Sequence, residues 1–313
     1  MKFKLDTEIP NFQKKIHHKK GLIFYGSCFS DELSKHFQNG GFSVCANPFG
    51  TIFHPLALAE NLARIFDITN EDFRIFEANS SFYSWSCSNL VSANSENELK
   101  EKLLQSTKDF EQKIVESSHF FITFGTSFAY HLKENDEVVA NCHKQNSNLF
   151  EKKLSAIAEM FEVWKDVLTQ IYALNPAIEV VFTVSPVRHS KDGLIENNRS
   201  KARLFELISA LEQIFPINYF PSYEIVIDEL RDYRFYAKDM VHPNSLAIDY
   251  LWEILKKSFF EPETLQLCEK GEKLRLLDQH KILNTDQKVI ADFIVEKQNK
   301  INRFLSENPD FRW

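Results

Sequence analysis

Apolar and polar positions follow two periods along this chain of 313 residues. Short unbroken apolar runs predict strands covered on both faces, and apolar residues three and four apart predict the helices that cover them. Leu22-Ile23-Phe24-Tyr25 is the first such run, and it stops at Gly26. Phe29, Leu33 and Phe37 then share one helical face, with Asp31 and Glu32 in the first turn and a stop near Gly40-Gly41. A second strand is predicted from Phe42 to Ala46, before Asn47-Pro48-Phe49-Gly50-Thr51 and a helix carrying Leu58, Leu62 and Phe66. Alternation from Phe73 to Ser86 predicts an inserted hairpin, and a charged helix near 96–116 leads into a buried strand, Phe120 to Phe124, ending at Gly125. An irregular second insert carries Val138 to His143. A long helix is predicted over 151–174, with Leu154, Ile157, Phe161, Trp164, Leu168 and Ile171 in phase. Glu179 to Val184 is the next core strand; Leu204, Leu207, Ile208 and Leu211 mark a helix; a last strand falls near 216–220, and a helix follows Asn244.

Strands that alternate with helices predict an α/β fold with a parallel sheet and crossover helices. From about residue 261 the chain is charged and helical, with few strand signals. We therefore expect one α/β domain over 1–260 and a helical C-terminal extension over 261–313 that either wraps the domain or mediates assembly.

Composition narrows the classes. A hydrophobic share of 43% supports a sizeable core, and 29 phenylalanines against 8 glycines and 10 prolines argue against repeats and disordered linkers. The net charge of −7 offers no basic footprint for nucleic acid. No apolar run is long enough to span a membrane, and the first twenty residues lack the apolar core of a secretion signal, so a cytoplasmic protein is expected. The five cysteines are odd in number and form no C-x-x-C pair, which disfavours a disulfide scaffold or a zinc site. Reduced thiols are expected, with no metal and no cofactor.

Two short segments carry chemistry. Gly26-Ser27-Cys28-Phe29 sits where a strand turns sharply into a helix, the layout that presents a nucleophile at the edge of a parallel sheet. The helix N-terminus supplies unpaired N–H groups and a positive field, from which a lowered thiol pKa is expected. Far down the chain, Asp239-Met240-Val241-His242-Pro243 sets a carboxylate three residues before an imidazole. An imidazole titrates near neutral pH, and a paired carboxylate fixes its tautomer. Gly26, Gly50, Gly125, Ser185 and the Asp239–His242 loop all follow strand ends, where open parallel sheets bind ligands.

Together with Val184-Ser185-Pro186-Val187 and Tyr219-Phe220-Pro221-Ser222-Tyr223-Glu224, these segments resemble, in order, the motifs of the GSCFA family, which belongs with the SGNH/GDSL-type hydrolases. The resemblance covers about residues 20–258. It implies a three-layer α/β/α flavodoxin-like (SGNH hydrolase) fold with a five-stranded parallel sheet. Placing Gly26 on the first glycine of the SGNH pattern puts Cys28 on the nucleophilic serine, with Ser27 as the rival nucleophile. His242 then matches the general base and Asp239 its orienting carboxylate. The oxyanion hole of that group uses the nucleophile's N–H, a glycine N–H and an asparagine side chain. Gly50 matches the glycine, and Gly125 is a further candidate for the oxyanion or substrate, but the third block reads Gly125-Thr126-Ser127 where the pattern has Gly-x-Asn. Ser127 or Asn141 is left to replace the missing amide. His143 is a candidate aid to the thiol, and Arg188 a candidate partner for an anionic substrate group. The resemblance thus implies a hydrolase or acyltransferase acting on an acyl, most simply acetyl, ester of a small molecule or carbohydrate. The alternative is a binding protein that keeps the fold and pocket without catalysis.

Overall fold

Leu22, Ile23, Phe24 and Tyr25 are each 0% exposed in the computed structural model of the chain, which describes residues 4–67, 72–279 and 287–313. Such a run is buried because β1 (Gly21–Gly26) lies inside a parallel sheet with β2 (Val44–Ala46), β3 (Ser117–Phe124), β4 (Glu179–Val184) and β5 (Asn218–Tyr219). The order across the sheet is β5-β4-β3-β1-β2, all parallel, which is the flavodoxin-like arrangement expected from the sequence.

Alternate side chains of the strands feed two cores. Ile23, Tyr25, Phe120, Ile122, Val180 and Phe182 face one layer, built from α2 (Pro55–Phe66), α3 (Glu96–Glu116), α4 (Ile157–Leu174) and α5 (Gly193–Glu212). Leu22, Phe24, Phe121 and Val181 face the other, where α1 (Cys28–Asn39) lies beside α6 (Ser245–Phe259). The result is three layers. The phenylalanine surplus is spent here: Phe24 stacks on Phe121 at 4.7 Å between ring centroids, and Phe37 meets Trp252 edge-on at 4.8 Å.

The inserts differ from expectation. The predicted hairpin is a three-stranded antiparallel sheet of Ile75–Ala78, Ser81–Ser84 and Ser92–Ala93. The irregular second insert is also a sheet, of Phe128–Leu132, Val138–Val139 and Phe150–Leu154. Its last strand corrects the helix predicted from 151, which begins only at Ile157. Residues 150–154 pair antiparallel with Phe128–Leu132, and Leu154 was in phase with the helix by coincidence. At the C-terminus come α7 (Pro262–Gln279) and α8 (Gln287–Glu307); residues 280–286 of the expected extension lie outside the described residues. This segment folds back on the end of α1, where the Arg312 N–H donates to Gly41 O at 2.8 Å and the Arg275 side chain to Asn39 O at 2.9 Å. Among the described residues, no helix is long and apolar enough to cross a membrane.

Candidate active site

The turn from β1 into α1 depends on one glycine. Gly26 has φ +139°, and a Cβ built there would lie 2.1 Å from the Thr123 carbonyl oxygen on β3. Only a residue without a side chain tolerates that approach. The Ser27 N–H then donates to the same oxygen at 3.2 Å, and the helix begins at Cys28. The two candidate nucleophiles part here. Ser27 is 1% exposed; its hydroxyl does not cap α1 and has no hydrogen-bond partner among the described residues. Cys28 is half-buried and lines a cavity of about 570 Å³.

The Phe29 and Cys28 amides at the helix start act on the Cys28 sulfur and favour its thiolate. Burial outweighs them, with the Asp31 charge adding to it, and the thiol's pKa lies above its ordinary value. The lowered thiol pKa expected from the helix N-terminus is therefore corrected, because desolvation of the anion is the larger effect.

The Asn47–Thr51 segment is bolted beneath this turn. Asn47, in a left-handed conformation (φ 41°), accepts the Gly26 N–H at 2.8 Å and donates to Asp31 Oδ1 at 2.6 Å; Thr51 donates to Asp31 Oδ2 at 2.9 Å. Asp31, read from the sequence only as a first-turn acid, is the knot that ties the two motifs together. The Gly50 N–H (φ +75°) donates to Asn47 O at 2.8 Å, and a Cβ at Gly50 would meet Ser88 Oγ at 2.0 Å. Gly50 does not line the cavity. Gly125 likewise donates its N–H to Phe53 O at 2.8 Å. The glycine amides that the motif offered for an oxyanion thus serve the backbone of the turns.

Ser127 is fully buried and points toward α5, donating to Ser200 O at 2.9 Å; its neighbour Thr126 is the one that reaches the cavity. Asn141 and Cys142 line the cavity, with Asn141 Oδ1 accepting the His143 N–H at 2.7 Å. His143 turns away. Its ring sits among Phe76, Tyr83 and Trp85 with Nε2 2.9 Å from Ser84 O, so it pins the two inserts to each other, and burial lowers its pKa.

His242 lines the same cavity as Cys28. His242 Nδ1–H donates to Asp239 Oδ2 at 2.6 Å, while Asp239 Oδ1 accepts the Val241 and His242 N–H groups at 3.0 and 3.1 Å. Those backbone donors, then the imidazole, hold the Asp239 carboxyl down to about 2. With the proton of a neutral ring on Nδ1, the lone pair of Nε2 is the basic site. No hydrogen bond joins His242 to the Cys28 sulfur among the described residues. Arg188 N–H donates to Val241 O at 3.4 Å, which links the two loops, and its guanidinium lies over the Tyr236 ring at 5.4 Å. Arg188 has no ion-pair partner among the described residues, and it lines the cavity.

Sequence reasoning missed two residues of this region. His54 lines the cavity and caps α2, accepting the Leu56 N–H on Nδ1 at 3.1 Å. Its ring is buried, and burial brings its pKa down to about 3. Lys201 on α5 is 1% exposed and donates to Gly125 O and Ser185 O. A signal for it existed. Asn197, Lys201, Leu204, Ile208 and Leu211 continue one helical stripe, so the polar residues prolong the apolar face.

No curated protein matches the chain. Among solved structures it is similar to an acetyl xylan esterase, Est2A, from the rumen bacterium Butyrivibrio proteoclasticus, with 11% identity, 82% of this chain and 67% of that chain covered, and a TM-score of 0.38. The model of the GSCFA family matches residues 21–255, the span that holds the sheet, the strand-end turns and both halves of the cavity, and the chain belongs to the GSCFA family.

Proposed function

We propose that the cavity is an acyl-transfer site that cleaves a small acyl ester, acetyl being the simplest, with Cys28 as nucleophile, His242 as base and Asp239 as the group that orients it. One observation supports this reading above the others. Residues more than two hundred positions apart line one cavity, and the imidazole there is already oriented at 2.6 Å by its carboxylate. In the proposed reaction His242 Nε2 takes the thiol proton as sulfur bonds to the ester carbonyl carbon. The tetrahedral oxyanion collapses, the ester C–O bond breaks, and His242 returns the proton to the leaving alkoxide. The thioester left on Cys28 is resolved by water, giving a carboxylic acid, or by an acceptor hydroxyl, giving a new ester. Oxyanion stabilisation falls to the Cys28 N–H at the helix start and to Asn141. Arg188, a cation on the rim without an acidic partner among the described residues, suits an ester whose alcohol or acyl part carries a negative charge.

A second reading, a ligand-binding protein without turnover, is favoured by the raised thiol pKa and by the engagement of the Gly50 and Gly125 amides inside their turns. Turnover of p-nitrophenyl acetate separates the two. Cys28→Ala is expected to reduce it to the uncatalysed background, and Ser27→Ala to retain it if the fold persists. Equal turnover by Cys28→Ala removes the sulfur from the mechanism. No turnover by the natural sequence, on neutral and anionic aryl acetates alike, supports the binding protein.

A further inference from the structure

Thr126 belongs to the strand end that adjoins the Cys28 turn. It comes two residues after β3, and β3 pairs directly with β1, in register up to Gly26–Thr123. The turn into Cys28 rests on that same strand end, through the Ser27 N–H on Thr123 O. Thr126 and Cys28 both line the cavity. The backbone there is fixed, because the Gly125 and Thr126 N–H groups share Phe53 O at 2.8 and 3.1 Å.

The Thr126 hydroxyl is part of a small buried cluster in which each hydrogen can be followed. Ser200, on α5, is 1% exposed and has one hydroxyl hydrogen to place. Its oxygen accepts the Ser127 N–H at 2.8 Å. The Ser127 hydroxyl donates to Ser200 O at 2.9 Å and approaches Ser200 Oγ, at 3.2 Å, only as a donor. Among the described residues, Thr126 Oγ1, at 3.0 Å, is the acceptor left for the Ser200 hydrogen. The reverse arrangement, with Thr126 donating, strands that hydrogen in the core without an acceptor, which folded proteins avoid. Thr126 Oγ1 also accepts the Phe128 N–H at 3.1 Å. Both lone pairs of the Thr126 oxygen are thus occupied, and its own hydrogen has no acceptor among the described residues. A hydroxyl so held can only donate, and the space that Thr126 borders is the cavity.

We propose that Thr126 is a further catalytic residue: its hydroxyl donates to the carbonyl oxygen of the substrate as that oxygen becomes negative, beside the Cys28 N–H and Asn141. The proposal rests on the acyl-transfer reading above. A donor whose direction is set before the reaction needs no reorganisation when charge develops, and such donors stabilise a transition state most. Ser127, buried away from the cavity, acts at one remove. By filling a lone pair of Ser200 Oγ it helps to turn the Ser200 hydrogen toward Thr126.

The test sets two electrophiles against each other on the intact chain. Turnover of p-nitrophenyl acetate passes through a tetrahedral oxyanion. Alkylation of Cys28 by iodoacetamide, read by mass spectrometry of the Cys28 peptide, does not. Thr126→Val keeps the shape and loses the hydroxyl. It is expected to lower kcat and kcat/KM by about a hundredfold each, with KM little changed, while Cys28 is alkylated at the natural rate. Thr126→Ser, which keeps the hydroxyl, is expected to retain turnover. Natural turnover in Thr126→Val overturns the proposal. So does an equal loss of turnover and alkylation, which would mean that the cavity wall had moved. Should Thr126→Val fail to fold, the natural protein decides. Trifluoroacetone takes the Cys28 sulfur on its carbonyl carbon, with the thiol proton passing to His242 and the oxygen left as an anion. In a crystal structure of that adduct the Thr126 oxygen is expected about 3 Å from the adduct oxygen. A separation beyond about 4 Å, or no adduct at all, overturns the proposal. Turnover lost in Cys28→Ala but kept in Thr126→Val sinks this inference and spares the enzyme. Full turnover in Cys28→Ala sinks the enzyme.

Discussion

Cys28 and His242 line one cavity, yet they are held in opposite ways. On the Cys28 side, Gly26, Ser27, Thr123 and Ser127 are each buried, and the groups that set the turn come from β1, β3 and the Asn47–Thr51 segment. On the His242 side, Asp239 and His242 keep 50% and 48% of their side chains exposed, and nearly every bond that shapes them is local, within residues 235–244. The position of Cys28, the proposed nucleophile, is thus a property of the whole sheet, whereas His242, the proposed base, sits on a loop that can be altered without disturbing the core. Damage on the first side should appear as lost stability, and on the second as lost chemistry in an intact protein.

The most severe break of that comparison is Gly26→Ala. The new Cβ would fall 2.1 Å from Thr123 O, against backbone that cannot yield, at a φ that L side chains rarely adopt. We expect no soluble folded protein, or a transition far below that of the natural sequence in thermal denaturation. A transition within a few degrees would mean that β1 and β3 can separate at this edge, and that the nucleophile's side is not set by the sheet.

Acid supplies an intermediate effect that falls on buried rings and spares the loop. His54, beside the cavity, and His119, in β3, are brought down to about 3 and about 4 by burial. In the unfolded chain such rings take up a proton below about pH 6.5. The unfolded state therefore binds more protons as pH falls, so the stability these rings contribute is complete above pH 6.5 and declines below it. The decline is about 2 kcal/mol for each ring by pH 5. Asp239, already down at about 2, titrates below this window and adds nothing to it. Other buried rings, His189 among them at about 4, add to the loss. Urea unfolding at pH 7.5 and pH 5 should show it, and His54→Gln should remove His54's share, about 2 kcal/mol. A stability that is flat between these pH values contradicts the burial of both rings.

The same division explains what could be read without coordinates. Strands such as Ser117–Phe124, buried at every position, stand out as apolar runs, and their ends locate Gly26, Gly125 and Ser185. The hairpin of the first insert showed in its alternation, but the second insert hid because its strands are short and half-exposed, like Phe150–Leu154 with its Glu151, Lys152 and Lys153. Within the cavity, a turn motif and a fixed spacing single out Cys28, Asp239 and His242, and the structure sets Cys28 and His242 on one cavity with Asp239 bonded to the imidazole. Lys201 was passed over although the apolar stripe of its helix runs through it, since a lysine on a helix is ordinarily solvated. For Gly50 and Gly125 a motif names the residue but not the partner of its N–H, and both N–H groups are bonded within the turns.

The smallest effect on stability, and the sharpest test of the contrast, is Asp239→Asn. The carboxylate is half-exposed and bonded only to its own loop, so its loss should leave the thermal unfolding transition almost unmoved. Asparagine keeps an acceptor for the Val241 and His242 N–H groups, so the loop itself should persist. What it cannot do is carry the charge that steadies an imidazolium, or ensure that the ring's proton stays on Nδ1. Turnover of p-nitrophenyl acetate should therefore fall by at least about a hundredfold while thermal unfolding stays in place. A large fall in stability with proportionate loss of turnover would show that the loop is tied into the core after all. Unchanged turnover would leave Asp239 as a turn-forming residue and His242 without its orienting partner.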